Sequence, residues 1–299
     1  MIRIIEVGPR DGLQNEKAPI PTPVKLAFIE GLLNAGLKEI EATSFVSPKW
    51  VPQLGDAAEL WPQLPKGGIY SALVPNAKGL ERAIEVGVER IAVFTAASDA
   101  FTQKNINMSV DQSLDVFKSV VDQFRASVPS GWVRGYVSTA FECPYAGKIE
   151  SSAVVRVCQK LLEMGVDELS IGDTIGVAAP SEVKVLTKAL LEIAPREKIA
   201  YHFHDTRGTA IANVAQAFEM GITAFDASAA GLGGCPYAPG AGGNLATDDL
   251  VYFLERSGIA TGVDSMKLAQ ASLPILDALG RKPVAKAQLA QLASEACPT

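Results

Sequence analysis

Strand-like and helix-like runs alternate along nearly the whole chain, and this alternation constrains the fold more than any other feature. Short runs suited to strands stand at 2–7, 38–43, 69–74, 89–95, 132–139, 167–171, 198–204 and 223–228, eight in all. Between them lie stretches with helical spacing, among them 23–35, 77–86, 110–127, 151–164, 181–194 and 209–220. Gly36, Gly87, Gly165 and Gly221 close four of these, where a left-handed residue ends a helix at little cost. Strand, helix, strand in repetition calls for a parallel sheet with crossover helices, and eight such units close into a (β/α)8 TIM barrel of about 250 residues. A doubly wound open α/β sheet is the other arrangement this pattern allows, but no G-x-G-x-x-G follows any strand. No linker-like tract or charge run interrupts the 299 residues, so a single domain is expected, with the barrel over about 1–262 and a C-terminal helical segment over about 263–299.

Composition removes whole classes of function. With 48% hydrophobic and 20% charged residues the chain is neither disordered nor low in complexity. No apolar run approaches the roughly 18 residues of a spanning helix, so no membrane partner is expected. The opening Met1-Ile-Arg-Ile-Ile-Glu-Val is already a strand-like run and resembles neither a signal peptide nor an Arg-rich presequence, so the expected location is cytoplasmic. A net charge of −6 argues against a nucleic-acid partner, which would need a basic stripe. Cys143, Cys158, Cys235 and Cys297 are scattered without a CxxC pair, which excludes a disulfide framework or zinc ribbon. The expected assembly is a homo-oligomer, a dimer or tetramer.

In a barrel of this kind, chemistry belongs where the strands end and eight loops converge. The unusual polar residues fall there. Gly8-Pro-Arg10-Asp11-Gly12 follows the first strand, Glu41 lies on the second, Asp173-Thr174 ends the sixth, and His202-Phe-His204-Asp205 ends the seventh. A glycine-rich stretch from Gly231 to Asn244, containing Cys235, follows the eighth. His202 and His204 are the only histidines, and on a strand their i, i+2 spacing puts both rings on one face. Neutral imidazoles so placed can ligate one divalent ion, with Asp11 supplying an anionic oxygen and the Asn244 amide a neutral one. That mixed set suits octahedral Mg²⁺ or Mn²⁺. Arg10 could present two donors to an oxyanion or carboxylate, although Pro-Arg-Asp-Gly is also good turn chemistry. Glu41 could pair with Arg10, and Asp173-Thr174 could cap the following helix. Cys143 and Cys158 read as inert buried thiols and Cys297 as exposed, while the glycines around Cys235 set it apart.

Taken together these residues resemble 3-hydroxy-3-methylglutaryl-CoA lyase. EVGPRDGLQNE, SFVSPKWVPQ, TQKNIN, GDTIGV, HFHDT, AGLGGCPYAPGAGGN and LATDDLVY occur in the order of that family, from about residue 2 to 281. The Arg-Asp-Gly-Leu-Gln and His-x-His pieces are shared with a wider group of metal-dependent barrels, including isopropylmalate and homocitrate synthases; the Gly-Leu-Gly-Gly-Cys-Pro-Tyr loop narrows the match. Departures stand at Arg207, where Tyr is usual, Glu142, where Gly is usual, and Ala229, where Val is common.

The resemblance implies cleavage of an acyl-CoA substrate, 3-hydroxy-3-methylglutaryl-CoA, to acetyl-CoA and acetoacetate in leucine degradation. It carries metal ligation onto Asp11, His202, His204 and Asn244, substrate and enolate binding onto Arg10, and the catalytic thiol onto Cys235. Retro-Claisen cleavage further needs a base for the C3 hydroxyl, for which Asp11 and then Glu41 are the candidates, and an acid for the departing enolate, expected in Cys235. Alternatives are a lyase for a longer 3-alkyl homologue, an acyl-CoA condensing synthase of the same metal-barrel group, and a non-catalytic CoA- or metal-binding barrel.

Overall fold

The computed structural model describes residues 2–234 and 243–296. All eight expected strands form: Arg3–Glu6 (β1), Glu39–Ser44 (β2), Ile69–Leu73 (β3), Arg90–Ala96 (β4), Trp132–Ser138 (β5), Glu168–Asp173 (β6), Ile199–Phe203 (β7) and Ala224–Ala227 (β8). Each pairs in parallel with its neighbours in sequence. The last returns to the first through Ile4↔Phe225 and Glu6↔Ala227, so the sheet closes into a (β/α)8 TIM barrel. Helices Thr22–Asn34, Ala77–Glu85, Val110–Ser127, Ser151–Glu163, Pro180–Leu190, Ala210–Glu219 and Thr247–Arg256 lie in the connections. Among the described residues no helix is long and apolar enough to cross a membrane.

The main apolar core lies between the sheet and its helices. Outward residues of the strands, such as Ile40, Ile91, Val133, Leu169, Tyr201 and Phe225, pack there against helical Phe28, Leu32, Phe117 and Leu161. Beyond the barrel, helices Ser265–Ala271, Leu273–Ala278 and Lys286–Ala296 follow, and Leu268, Ile275 and Leu276 join the same core.

The barrel interior is different. Its inward apolar residues form two small separate groups, Ile5, Val7, Ala200 and Ala224 on one side and Leu73, Ala92 and Tyr136 on the other. Between them runs a column of charged and polar side chains. Burying charge in this way is tolerable only where each group has a partner.

Local structure departs from the sequence pattern in three places near the mouth. Gly8–Gly12 forms a π-helical turn in place of a surface β-turn, with the amides of Arg10, Asp11 and Gly12 all directed at the Val7 carbonyl at 3.2, 2.7 and 3.2 Å. The turn buries Arg10, which a surface turn would have left in solvent. Asp99–Ile106 forms a helix that the strand-helix alternation gives no hint of, capped where the Ser98 hydroxyl accepts from the Phe101 amide. Glu142–Cys143 and Gly147–Lys148 pair as a small antiparallel hairpin after β5.

Candidate metal centre and the groups around it

Asp11, His202 and His204 converge above the open end of the barrel, their ligand atoms all within 4.8 Å of one another. His202 lies on β7 and points inward by the strand alternation that also directs Ala200 inward. His204 follows two residues later on the same side. The two Nε2 atoms are 3.1 Å apart, and the Asp11 Oδ2 is 3.8 Å from Nε2 of His202. Asn244 enters from the last connection, paired with His204 through an isolated backbone bridge, and its amide nitrogen donates to Asp11 Oδ2 at 2.9 Å and to the Leu232 carbonyl at 3.1 Å. The four expected ligands are thus brought together.

The donor chemistry fits a divalent cation. The Asn244 Oδ1 is buried without a hydrogen-bond partner, as is the Nδ1 of His204. Burial, reinforced by the neighbouring His202, pushes His204 down to about 3, so its ring is neutral and offers a lone pair. Burial also lowers His202, but the Asp226 carboxylate at its Nδ1 and the Asp11 charge together outweigh this and raise it. Burial alone would raise Asp11, yet the Arg10 charge and the two imidazoles hold its carboxyl well below the usual range. The two Nε2 atoms and the Asp11 carboxylate converge there, and the Asn244 amide lies against the same carboxylate; Arg10 pairs with Oδ1 of Asp11, while Oδ2 lies toward His202 Nε2.

Arg10 stands beside this cluster, buried and fully engaged. Its Nε and Nη2 meet the two oxygens of Glu41 at 2.8 and 3.2 Å, and its Nη1 reaches Asp11 Oδ1 at 2.5 Å. The expected pairing of Arg10 with Glu41 is therefore present as a two-pronged contact, and the Tyr136 hydroxyl also donates to Glu41. Asp173 accepts from the amides of Val177 and Ala178, both at 3.0 Å, and burial raises it to about 6; Thr174 accepts from the Thr139 amide at 2.7 Å. Both therefore tie down the loop after β6. Arg207 donates to the carbonyls of Ile175 and Gly176 at 2.7 and 3.1 Å, which fastens that same loop to the one after β7. Cys143 and Cys158 are buried, and burial pushes Cys158 up to about 12. Cys235 and Cys297 lie outside the described residues. Just before Cys235, a Cβ on Gly233 (φ +121°) would come within 2.6 Å of the Asn244 amide nitrogen.

Four polar residues escaped the sequence reading: Arg134 and Tyr136 on β5, Ser170 on β6 and Asp226 on β8. They belong to strand interiors, where barrels normally carry branched apolar side chains. That contrast was the available signal. Arg and Tyr two residues apart in WVRGYVS share a face, and a buried charge on that face implies a buried partner.

A closed parallel barrel with a metal-competent His₂/Asp cluster at the C-terminal ends of its strands defines the class, a TIM-barrel enzyme with a candidate divalent-metal centre. Comparison with known proteins fixes the family. The HMGL-like family model matches residues 1–275, and the chain belongs to that family. It is 51% identical over 287 residues to the mitochondrial hydroxymethylglutaryl-CoA lyase of Bos taurus, covering 95% of this chain and 88% of the relative. The crystal structure of hydroxymethylglutaryl-CoA lyase from Pseudomonas aeruginosa superimposes with a TM-score of 0.95 at 47% identity, covering 98% of each chain. An HMG-CoA lyase from Acinetobacter baumannii, solved with coenzyme A and 3-methylmalate, matches with a TM-score of 0.91 at 37% identity over 100% of this chain and 96% of its own.

Proposed function

We infer that this chain is a carbon–carbon lyase that cleaves 3-hydroxy-3-methylglutaryl-CoA to acetyl-CoA and acetoacetate. The observation that carries the reading is identity of about half the residues, over 95% of the chain, to a hydroxymethylglutaryl-CoA lyase. A likeness this extensive favours it over condensing synthases and over a lyase for a longer 3-alkyl homologue. We place the reaction in leucine degradation and the enzyme in the cytoplasm as a homo-oligomer, with the chain a single catalytic domain.

Asp11, His202, His204 and Asn244 would hold the divalent ion, Mg²⁺ or Mn²⁺. Such an ion acidifies a hydroxyl and stabilises the negative charge left on its oxygen. Arg10 then has the geometry to stabilise the thioester enolate that leaves. Glu41 occupies its Nε and Nη2, so the Nη1 edge, already turned to Asp11, is the one facing the reacting oxygens. A guanidinium fixed before the substrate arrives need not reorganise as charge develops, which is the condition for strong transition-state stabilisation. Both Glu41 oxygens are taken by Arg10 and Tyr136, so we assign Glu41 to holding Arg10 and keep Asp11 as the base for the C3 hydroxyl. Cys235 would deliver the proton to the acetyl-CoA carbon as a general acid, which requires a thiol that stays protonated.

A coupled assay for acetoacetate, started with 3-hydroxy-3-methylglutaryl-CoA, tests this. Turnover should stop with a chelator and return when Mg²⁺ or Mn²⁺ is restored. No acetoacetate with either metal, or condensation of acetyl-CoA with a 2-keto acid in its place, would refute the lyase reading.

A further inference from the structure

Beneath the candidate ligands lies a closed ring of buried polar groups. His202 Nδ1 is 3.1 Å from Asp226 Oδ2, and Asp226 Oδ1 is 2.7 Å from Arg134 Nη2. Arg134 Nη1 donates to the Tyr136 hydroxyl at 3.3 Å, Tyr136 donates to Glu41, Glu41 holds Arg10, and Arg10 reaches Asp11. Asp11 closes the circuit over His202 Nε2. Strand register makes this exact in space: Asp226 pairs with His202 between β8 and β7, so their side chains stand side by side. Ser170 on β6 donates a second hydrogen bond to Asp226 Oδ2 at 2.8 Å, and Glu168 Oε1 holds Arg134 from below at 3.0 Å.

We propose that Asp226, clamped by Arg134 and Ser170, is a positioning residue that fixes His202 in its Nδ1–H form and so presents the Nε2 lone pair to the metal. Oδ1 is ion-paired with a guanidinium and Oδ2 accepts from the Ser170 hydroxyl, so Asp226 is held as the carboxylate. The imidazole nitrogen against Oδ2 must then carry the proton, which leaves Nε2 as the ligand. A carboxylate behind a ligating histidine commonly has this duty. Arg134 makes the arrangement one-way. In an Asp226→Asn variant the amide oxygen would stay with the guanidinium, the stronger charge-assisted partner, and the NH₂ would turn to His202. Nδ1 would then accept, and the proton would move to Nε2, the atom that must bind metal.

The inference rests on the metal centre proposed above and not on the substrate, so its test uses no turnover. The chain has only two histidines, so the ¹⁵N imidazole spectrum of labelled, Mg²⁺-loaded protein holds two rings. One ring of the wild type should show a protonated Nδ1 hydrogen-bonded to a carboxylate. Asp226→Asn should move that proton to Nε2 and weaken Mn²⁺ binding, read by electron paramagnetic resonance, by about 10- to 100-fold. Arg134→Lys, which keeps the charge but loses the fork, should weaken it less and leave the tautomer in place. The wild-type spectrum needs no variant, so it decides the point even if Asp226→Asn fails to fold. An Nε2–H form of His202 in the wild type, or unchanged Mn²⁺ affinity in a folded Asp226→Asn, overturns the proposal. A wild type that binds no Mn²⁺ overturns the metal centre and this inference with it.

Discussion

The two ends of the barrel both gather charge, and they treat it in opposite ways. At the foot, where the strands begin, Arg3 meets Glu39 through Nε at 2.7 Å and Nη2 at 2.6 Å, and also pairs with Glu168. Arg90 approaches Glu39 at 3.8 Å and lies 3.8 Å over the Trp132 ring. Charge there is matched by opposite charge, which keeps a barrel end closed and inert. At the mouth Arg10 also pairs with Asp11 and Glu41, but ligand atoms of Asp11, His202 and His204 lie within 4.8 Å of one another, and Asn244 Oδ1 is buried without a partner. A charged cluster that satisfies itself is structural, whereas one that converges its lone pairs has work for a cation.

The largest effect is expected from removing the thiol assigned the final proton transfer. Cys235→Ser replaces the thiol with a far weaker acid, so acetoacetate release should fall by about 10²- to 10⁴-fold while Mn²⁺ still binds. Near-normal turnover would move the protonation to another group.

Arg10→Gln should lower kcat by about 10²- to 10³-fold, more than it raises KM. Arg10→Lys should rescue little, because a lysine cannot occupy Glu41 and still face the reacting oxygens. A pure KM effect would reduce Arg10 to docking. Loss of the metal site would make it a support for Asp11.

Glu6, the last residue of β1, gives a pH test. Its carboxyl, buried among the Gly8 and Ala229 amides and the Thr247 hydroxyl, is pushed from 4.5 up to about 7 by burial, which those hydrogen bonds offset only in part. A raised acid favours the folded state while protonated, so its contribution is full below about pH 4.5 and is lost as pH rises through about 7. Glu6→Gln should flatten that part of the stability curve, by an amount of a few kcal/mol. Parallel urea-denaturation curves for the two proteins from pH 5 to 8 would sink the assignment.

The smallest effect belongs to the foot. Glu39→Gln breaks a partly exposed pair and should cost only about 1 kcal/mol of stability. Mn²⁺ affinity and kcat should stay as they were. A changed metal affinity would mean that the two ends communicate.

The eight strands were legible because short strand-like runs alternate with helical stretches, four of them closed by glycines, along nearly the whole chain. The convergence of the candidate ligands was legible because His202 and His204 share a strand face, and because polar residues of a barrel collect at strand ends. The π-helical turn was not, since Pro-Arg-Asp-Gly has ordinary β-turn chemistry and the Glu41 carboxylate that meets the buried Arg10 lies on another strand. Nor were Tyr136 and Asp226, whose partners lie on other strands at sequence distances of 95 and 24. Such pairs are set by barrel register, which a single sequence shows only once the strands are in place.

The contrast between the two ends rests on one divalent ion held at the mouth by Asp11, His202, His204 and Asn244. Calorimetric titration of Mn²⁺ into the metal-free protein, beside a His202→Ala, His204→Ala double variant, tests it most directly. The wild type should take up one ion per chain, and the double variant should bind it more weakly by orders of magnitude while its thermal unfolding stays cooperative. Equal Mn²⁺ affinity in the two proteins would contradict it.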